Sequence, residues 1–130
     1  MKALTFTQPW ASLVACGAKR IETRSWATDY RGPLAIHAAK TIPAWVDEWE
    51  AAMLPLLARY NVLPIRALPL GCVVATCTLA DVVPAAKALP DTVDRMLGDF
   101  TPGRFAWLLA DVQPLPVPVP ARGSLGLWEW

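Results

Sequence analysis

Apolar positions recur along this chain in short runs that change period at each punctuating Pro, Gly or charge cluster. Leu4 and Phe6 alternate with more polar neighbours between Lys2 and Thr7, the period of a half-buried strand. From Gln8 to Cys16 the period changes. Trp10, Leu13 and Val14 recur at i, i+3 and i+4, Pro9 suits a first helical turn and Gly17 is placed to cap the end, so a short helix is predicted. Alternation returns at residues 20–26, a second strand, and a turn at Arg31-Gly32-Pro33 leads into a third, Leu34–Ala39. Pro43 opens a helix that runs to about Tyr60 with Trp45, Trp49, Met53 and Leu56 on one stripe, and Pro55 inside it should kink it or divide it in two.

The run from Cys72 to Val83 is almost continuously apolar, as expected of a central strand. Residues 84–100 read as loop with room for one helical turn, Phe105–Val112 as a strand, and Leu125–Trp130 as the closing segment. Between the last two lies Pro114-Leu115-Pro116-Val117-Pro118-Val119-Pro120, with proline at every second position. In an extended chain this strips the N–H donors from one side only, so the segment reads as an edge strand that pairs on one edge and is protected on the other. The expected fold is mostly β with helical insertions (α+β), a small, mostly antiparallel β-barrel, in a single domain spanning residues 1–130.

Composition narrows the class. At 130 residues and 55% hydrophobic, the chain can bury a core and is not disordered. Its apolar runs stop well short of the roughly 18 residues a spanning helix needs, and the N-terminus lacks a signal-peptide pattern, so a cytoplasmic protein without a membrane role is expected. Three cysteines, an odd number without zinc-site spacing, argue against a disulfide framework and against a metal site. Cys72 and Cys77, five apart in a strand, should point to opposite faces. No cofactor motif is present. The net charge of +1 conceals an asymmetry: residues 1–40 carry six Lys or Arg against two acids, whereas residues 41–100 carry four against seven. A modest positive patch in the first third fits a nucleotide or a short single strand better than a long duplex.

That first third also holds the candidate chemistry. In a strand over residues 20–26, Arg20, Glu22, Arg24 and Trp26 share one face. Two guanidinium groups, a carboxylate and an indole make a poor core but suit a planar ligand with hydrogen-bonding edges. Lys19 would supply a compact charge for phosphate, Arg24 a planar fork for phosphate or a base edge, and Glu22 either an acceptor for a base amino group, a general base, or an ion-pair partner that holds the arginines. Trp10 and Trp26 flank the motif and could stack on a base, whereas Trp45, Trp49 and Trp107 are expected in the core. His37, the single histidine, is either an acid or base near neutral pH or a hydrogen-bonded structural residue, and Lys40 lies close by in sequence. Charges exposed in a cleft contribute little to folding, so Lys19→Ala and Arg24→Ala are expected to change stability by no more than about 0.5 kcal/mol.

The stretch Gln8-Pro9-Trp10, then Gly17-x-Lys19-x-x-Glu22-x-Arg24-Ser25-Trp26, then Tyr30-Arg31-Gly32-Pro33-Leu34-x-Ile36-His37-Ala38, closely resembles the ASCH (activating-signal-cointegrator homology) domain family. Phe105-Ala106-Trp107-Leu108-Leu109 and Gly126-Leu127-Trp128 look like the family's closing strands. The resemblance implies a barrel similar to the PUA domain fold, with a basic cleft between the first helix and the barrel that binds RNA or a nucleotide. Relatives similar to this domain include an amidohydrolase acting on N4-acetylcytidine and a proposed ribonuclease. The alternative is therefore a metal-independent enzyme using Lys19 and Glu22, and whether the chain is an enzyme stays open at this point. In the amidohydrolase group the motif reads Lys-x-x-Thr-x-Arg, with the threonine hydroxyl and the lysine in catalysis; this chain carries Glu22 where those relatives carry the threonine.

Overall fold

A computed structural model describes all 130 residues, Met1–Trp130. The chain runs β1 (Lys2–Phe6), α1 (Trp10–Ala15), β2 (Ile21–Arg24), β3 (Gly32–Ala38), α2 (Val46–Ala52), α3 (Leu54–Arg59), β4 (Cys72–Pro84), α4 (Thr92–Leu97), β5 (Phe105–Pro120) and β6 (Trp128–Glu129). The strands form one mixed sheet in the order β2-β5-β4-β3-β1-β6. Only β1 and β3 run parallel; the other four ladders are antiparallel. Parallel neighbours need a crossover, and the chain between β1 and β3 supplies it through α1 and β2.

The ladder is open. No strand pairing joins β2 at one end to β1 or β6 at the other, so the closed barrel expected from the sequence is not formed by backbone pairing. The sheet nevertheless curls until β2 faces β1, and the gap is spanned by a side chain: Arg24 Nη2 donates to the Thr5 carbonyl at 2.9 Å. Curling follows from the bulges in the long central strands, because each extra residue bends its strand and raises the local twist. One such bulge is at Val74, where His37 pairs with Val73 but Ile36 pairs with Ala75. It also corrects an expectation. The inserted residue resets the alternation, so Cys72 and Cys77 lie in the same core cluster rather than on opposite faces.

Two apolar layers meet on α1. Ala11 and Val14 join Leu4, Phe6, Ile36, Leu79 and Trp107 against the sheet, while Leu13 joins Val46, Leu57, Ile65 and Leu97 under the later helices. The stripe expected from Pro43 to Tyr60 is divided, with Pro55 in the first turn of α3 as its missing N–H allows. The first of these two helices starts at Val46, later than Pro43, with Asp47 and Glu48 in its first turn. The proline-alternating segment is the second half of β5; Val119 and Pro120 pair with Val73 and Cys72 of β4, and no ladder forms on its other edge. No helix is long and apolar enough to cross a membrane.

Residues 84–100 were expected to be mostly loop, yet Thr92–Leu97 is a helix. Asp91 caps it, accepting from the Asp94 N–H at 2.8 Å. The same helix docks on the start of β2 through Asp94, whose Oδ1 accepts from the backbone N–H of Arg20 at 2.8 Å and of Ile21 at 3.2 Å.

Candidate functional site

β2 is short, and its alternation does two jobs. Ile21 and Thr23 are buried, while Glu22 and Arg24 project into a cleft of about 530 Å³. The cleft opens between β1, β2, α1, α2 and the segment that follows α4. Trp10, Trp45 and Trp49 give it an aromatic wall, and Glu22, Arg24, Asp99 and Arg104 give it charged groups. Trp10 and Trp49 lie 4.9 Å apart between centroids and Trp10 and Trp45 5.7 Å, both tilted, the spacing of attractive aromatic pairs. The Trp10 indole N–H donates to the Leu97 carbonyl at 3.0 Å, which fixes this ring while leaving its neighbours to the cleft. Trp45 is 52% exposed, unlike the core tryptophan that its helical stripe predicted; of the three expected in the core, only Trp107 is fully buried there. An apolar stripe is ambiguous between a core and a cleft wall, and here it serves the wall.

The charged groups are tightly tied. Arg24 Nε donates to Glu22 Oε2 at 3.0 Å, and its guanidinium carbon sits 5.3 Å from the Phe6 ring centroid, so both the fork and the ring set its orientation. Glu22 Oε1 accepts from the Thr23 N–H at 3.1 Å. Arg104 Nη2 donates to the Thr23 carbonyl at 3.2 Å, and its Nε lies 3.4 Å from Asp99 Oδ2. Two arginines thus face two carboxylates, and the cleft is electrically balanced rather than basic as expected. What remains for a ligand is the outward Nη1 edge of each arginine, for which the protein provides no partner, together with the indole faces.

Lys19 is not a free cleft charge. Its side chain is fully buried, and Nζ reaches the Ile21 carbonyl at 2.8 Å, the Leu97 carbonyl at 3.3 Å and Glu22 Oε1 at 3.4 Å. An ammonium has three protons, and three acceptors surround it. Burial pushes the Lys19 amine below the ordinary lysine range, and the Glu22 carboxylate beside it holds the amine up in part. Lys19 therefore ties β2 to the C-terminal end of α4 and fixes Glu22 from behind.

Asp94 is the counterpart on α4. Burial raises its carboxyl above the usual range, against the two backbone N–H groups that favour the charged form. Its Oδ2 has no hydrogen-bond partner; the nearest cation is Arg20 Nε at 3.8 Å. Arg20 itself turns outward to Asp91 Oδ2 at 2.8 Å, so it leaves the face it was expected to share with Glu22 and Arg24.

Trp26 also leaves that face. The strand ends at Arg24, and Trp26 packs edge-on against Trp107 with centroids 4.8 Å apart, away from the cleft lining. His37 and Lys40 border a separate cavity of about 940 Å³, and Thr5 of β1 lines both. His37 Nε2 lies 2.7 Å from the Ala121 carbonyl and can only donate there. Nδ1 then accepts from Thr5 Oγ1 at 3.1 Å, and that oxygen in turn accepts from the Trp128 indole at 3.1 Å. This tautomer is assigned from the network. It makes His37 the post that holds residues 121–125 against the sheet.

Of the sequence-selected residues, Trp10, Glu22 and Arg24 meet at one cleft, Lys19 buttresses it, His37 and Lys40 border the neighbouring cavity, and Trp26 joins neither. Arg104, Asp94, Trp45 and Trp49 were not selected. Asp91-x-x-Asp94 is a helix-start spacing that could have located α4, whereas nothing local marks Arg104.

Comparison with known proteins agrees with this architecture. The ASCH domain model matches residues 4–115, and the chain therefore belongs to the ASCH domain family. It is similar to activating signal cointegrator 1 of Homo sapiens, 31% identical over 128 residues, and of Mus musculus, 30% identical over 128 residues. Each match covers 97% of this chain but only 22% of the relative, so the chain spans about a fifth of those proteins. Among solved structures it is similar in fold to a mutant of the ZmASCH protein from Zymomonas mobilis, with a TM-score of 0.53, 15% identity, and coverage of 92% of this chain and 74% of that one.

Proposed function

We propose that residues 1–130 act as one RNA- or nucleotide-binding domain that stacks a base of a single strand, or of a free nucleotide, on the Trp10–Trp45–Trp49 wall. The observation that carries this reading is the half-exposed Trp45 beside Trp10 and Trp49 in a cleft whose charged groups, Glu22, Arg24, Asp99 and Arg104, are held by partners within the protein. Apolar burial alone would have hidden the ring, and phosphate binding alone would not need it. A stacking platform uses it directly, at about 1–3 kcal/mol per base. Lys19, saturated by its three acceptors, acts as a positioning residue for Glu22. The curled sheet, bridged by Arg24 rather than by pairing, is read as an opened form of the PUA-like barrel. A cytoplasmic setting suits three cysteines that form no disulfide, Cys16 among them exposed.

The enzyme alternative would have Lys19 and Glu22 steer a water onto RNA or an N4-acylcytidine. It requires Lys19 to release one of its three acceptors, and the geometry favours binding over that release. Titration of labelled single-stranded RNA into the wild type, Trp45→Ala and Arg24→Ala tests the proposal. Both variants should bind more weakly at a temperature where both remain folded, although Arg24→Ala also loses the bridge to the Thr5 carbonyl and should melt lower. Unaltered affinity in both would overturn it, and turnover of N4-acetylcytidine lost in Glu22→Gln would favour the enzyme.

A further inference from the structure

Lys40 and Arg122 stand apart from the other cations that line the two cavities. Neither makes an ion pair or hydrogen bond within the protein, whereas Arg24 and Arg104 of the cleft are each matched by a carboxylate. Both are exposed, and both line the second cavity, whose lining contains no acidic residue. The remaining polar side chains of the lining are Thr5, His37, Thr41 and Ser124. A concave site with two free cations, hydroxyls and no carboxylate selects an anion, because every charge in it has the same sign and low-dielectric walls concentrate the field.

The cavity is also built. Residue 121 is held at both ends of its peptide group, its N–H on the Gly71 carbonyl at 3.1 Å and its carbonyl on His37 at 2.7 Å. The backbone leading into Lys40 is held from the other side, where the Gly71 N–H donates to the Ala39 carbonyl at 3.3 Å. At Gly123 the strap passes so close to the sheet that an added Cβ would lie 2.6 Å from His37 Cε1 and 2.8 Å from Thr5 Oγ1. Arg122 therefore projects from a clamped segment and not from a free loop.

We infer that this second cavity is a phosphate subsite, binding a backbone phosphate of the same strand whose base enters the tryptophan cleft. The inference rests on the RNA-binding reading above. Thr5 joins the two sites: its carbonyl holds Arg24 on the cleft side, and its hydroxyl holds His37 on the cavity side. A strand crossing β1 at Thr5 meets the aromatic wall with a base and the Lys40–Arg122 pair with a phosphate. The division of labour follows from the linings: the balanced cleft has little to offer a phosphate, and the cavity has no Trp, Tyr or Phe, while its one imidazole is tied to the Ala121 carbonyl and Thr5.

Two titrations test this. In the first, inorganic phosphate is added to the isotope-labelled protein while amide signals are followed. Saturable shifts are expected at Thr41, Gly123 and Ser124 but not at Trp45 or Gly98, and they should vanish in the Lys40→Gln/Arg122→Gln double variant. Shifts that fail to saturate, or that persist in the double variant, overturn the inference. In the second, single-stranded RNA binding is measured at several salt concentrations. The double variant should lower the magnitude of the salt slope by about 0.7, the share of one phosphate contact on a single strand. Normal RNA binding with an unchanged slope sinks the subsite while leaving the tryptophan cleft intact. A wild type that binds phosphate but no RNA contradicts the functional reading and, with it, the strand-crossing inference. Displacement of phosphate by a phosphoserine peptide but not by RNA also overturns it.

Discussion

Lys19 is the residue where physical environment most changes what the motif implies. A lysine between a glycine and a strand reads as exposed, yet its Nζ is buried against two carbonyls and Glu22. Removing it empties the buried volume of its side chain and withdraws the cation from the Ile21 carbonyl, from the Leu97 carbonyl, which keeps the Trp10 indole, and from Glu22, which keeps Arg24 and the Thr23 N–H. The expected loss of stability for Lys19→Ala is therefore about 3–5 kcal/mol, the scale for breaking a buried ion pair, rather than the 0.5 kcal/mol expected of a surface charge. Urea denaturation of the purified variant measures it, and a midpoint equal to wild type would return Lys19 to the cleft as a free charge. Trp45→Ala should cost less: half-exposed but paired with Trp10, its loss should lower stability by about 1–2 kcal/mol while weakening RNA binding by about 1–3 kcal/mol.

At the scale of elements, α4 is the piece that assembles the site, and Asp94 is its attachment. Asp94→Ala orphans the N–H groups of Arg20 and Ile21, so a loss of about 1–3 kcal/mol is expected; Asp94→Asn keeps the accepting oxygen and should cost less. The pH dependence distinguishes these roles. Because burial raises the Asp94 carboxyl, the folded state holds this proton longer than the unfolded chain, whose value is near 3.8. Below that pH the group is protonated in both states and contributes no difference. As pH rises from there through the raised value, the wild type should lose stability relative to Asp94→Asn. Thermal melts of both proteins across acidic pH check this, and parallel profiles would contradict it.

The same elements explain what was legible in the sequence. α1 was, because Trp10, Leu13 and Val14 keep helical period on a buried face, and so was the division of the second helix at Pro55. β2 was legible as a strand carrying Glu22 and Arg24, but its end was not: nothing in Ser25-Trp26 says that pairing with β5 stops at Arg24. The fourth helix was legible only as one helical turn somewhere in residues 84–100, because its six residues carry too little period to place it. The separation of His37 and Lys40 from the motif arises from the curl of the sheet, which brings β2 to face β1 and leaves β1 between it and β3, and no local pattern encodes that.

At the scale of the whole molecule, a curled, open sheet carries two cavities divided by β1. The strap over the second cavity depends on Gly123, so Gly123→Ala should force His37 or Thr5 aside and cost about 1–3 kcal/mol, as overpacking generally does; a melting temperature equal to wild type would contradict the clamp. The central claim is that a single strand binds with a base on the tryptophan wall and only a few phosphates engaged. Its most direct measurement is the affinity of labelled single-stranded RNA against salt concentration for the wild type and Trp45→Ala. Two to four engaged phosphates predict a slope of log affinity against log salt between roughly −1.4 and −2.8, shared by both proteins, with the variant displaced to weaker binding throughout. Affinity indifferent to salt, or superimposable curves for the two proteins, would contradict the account.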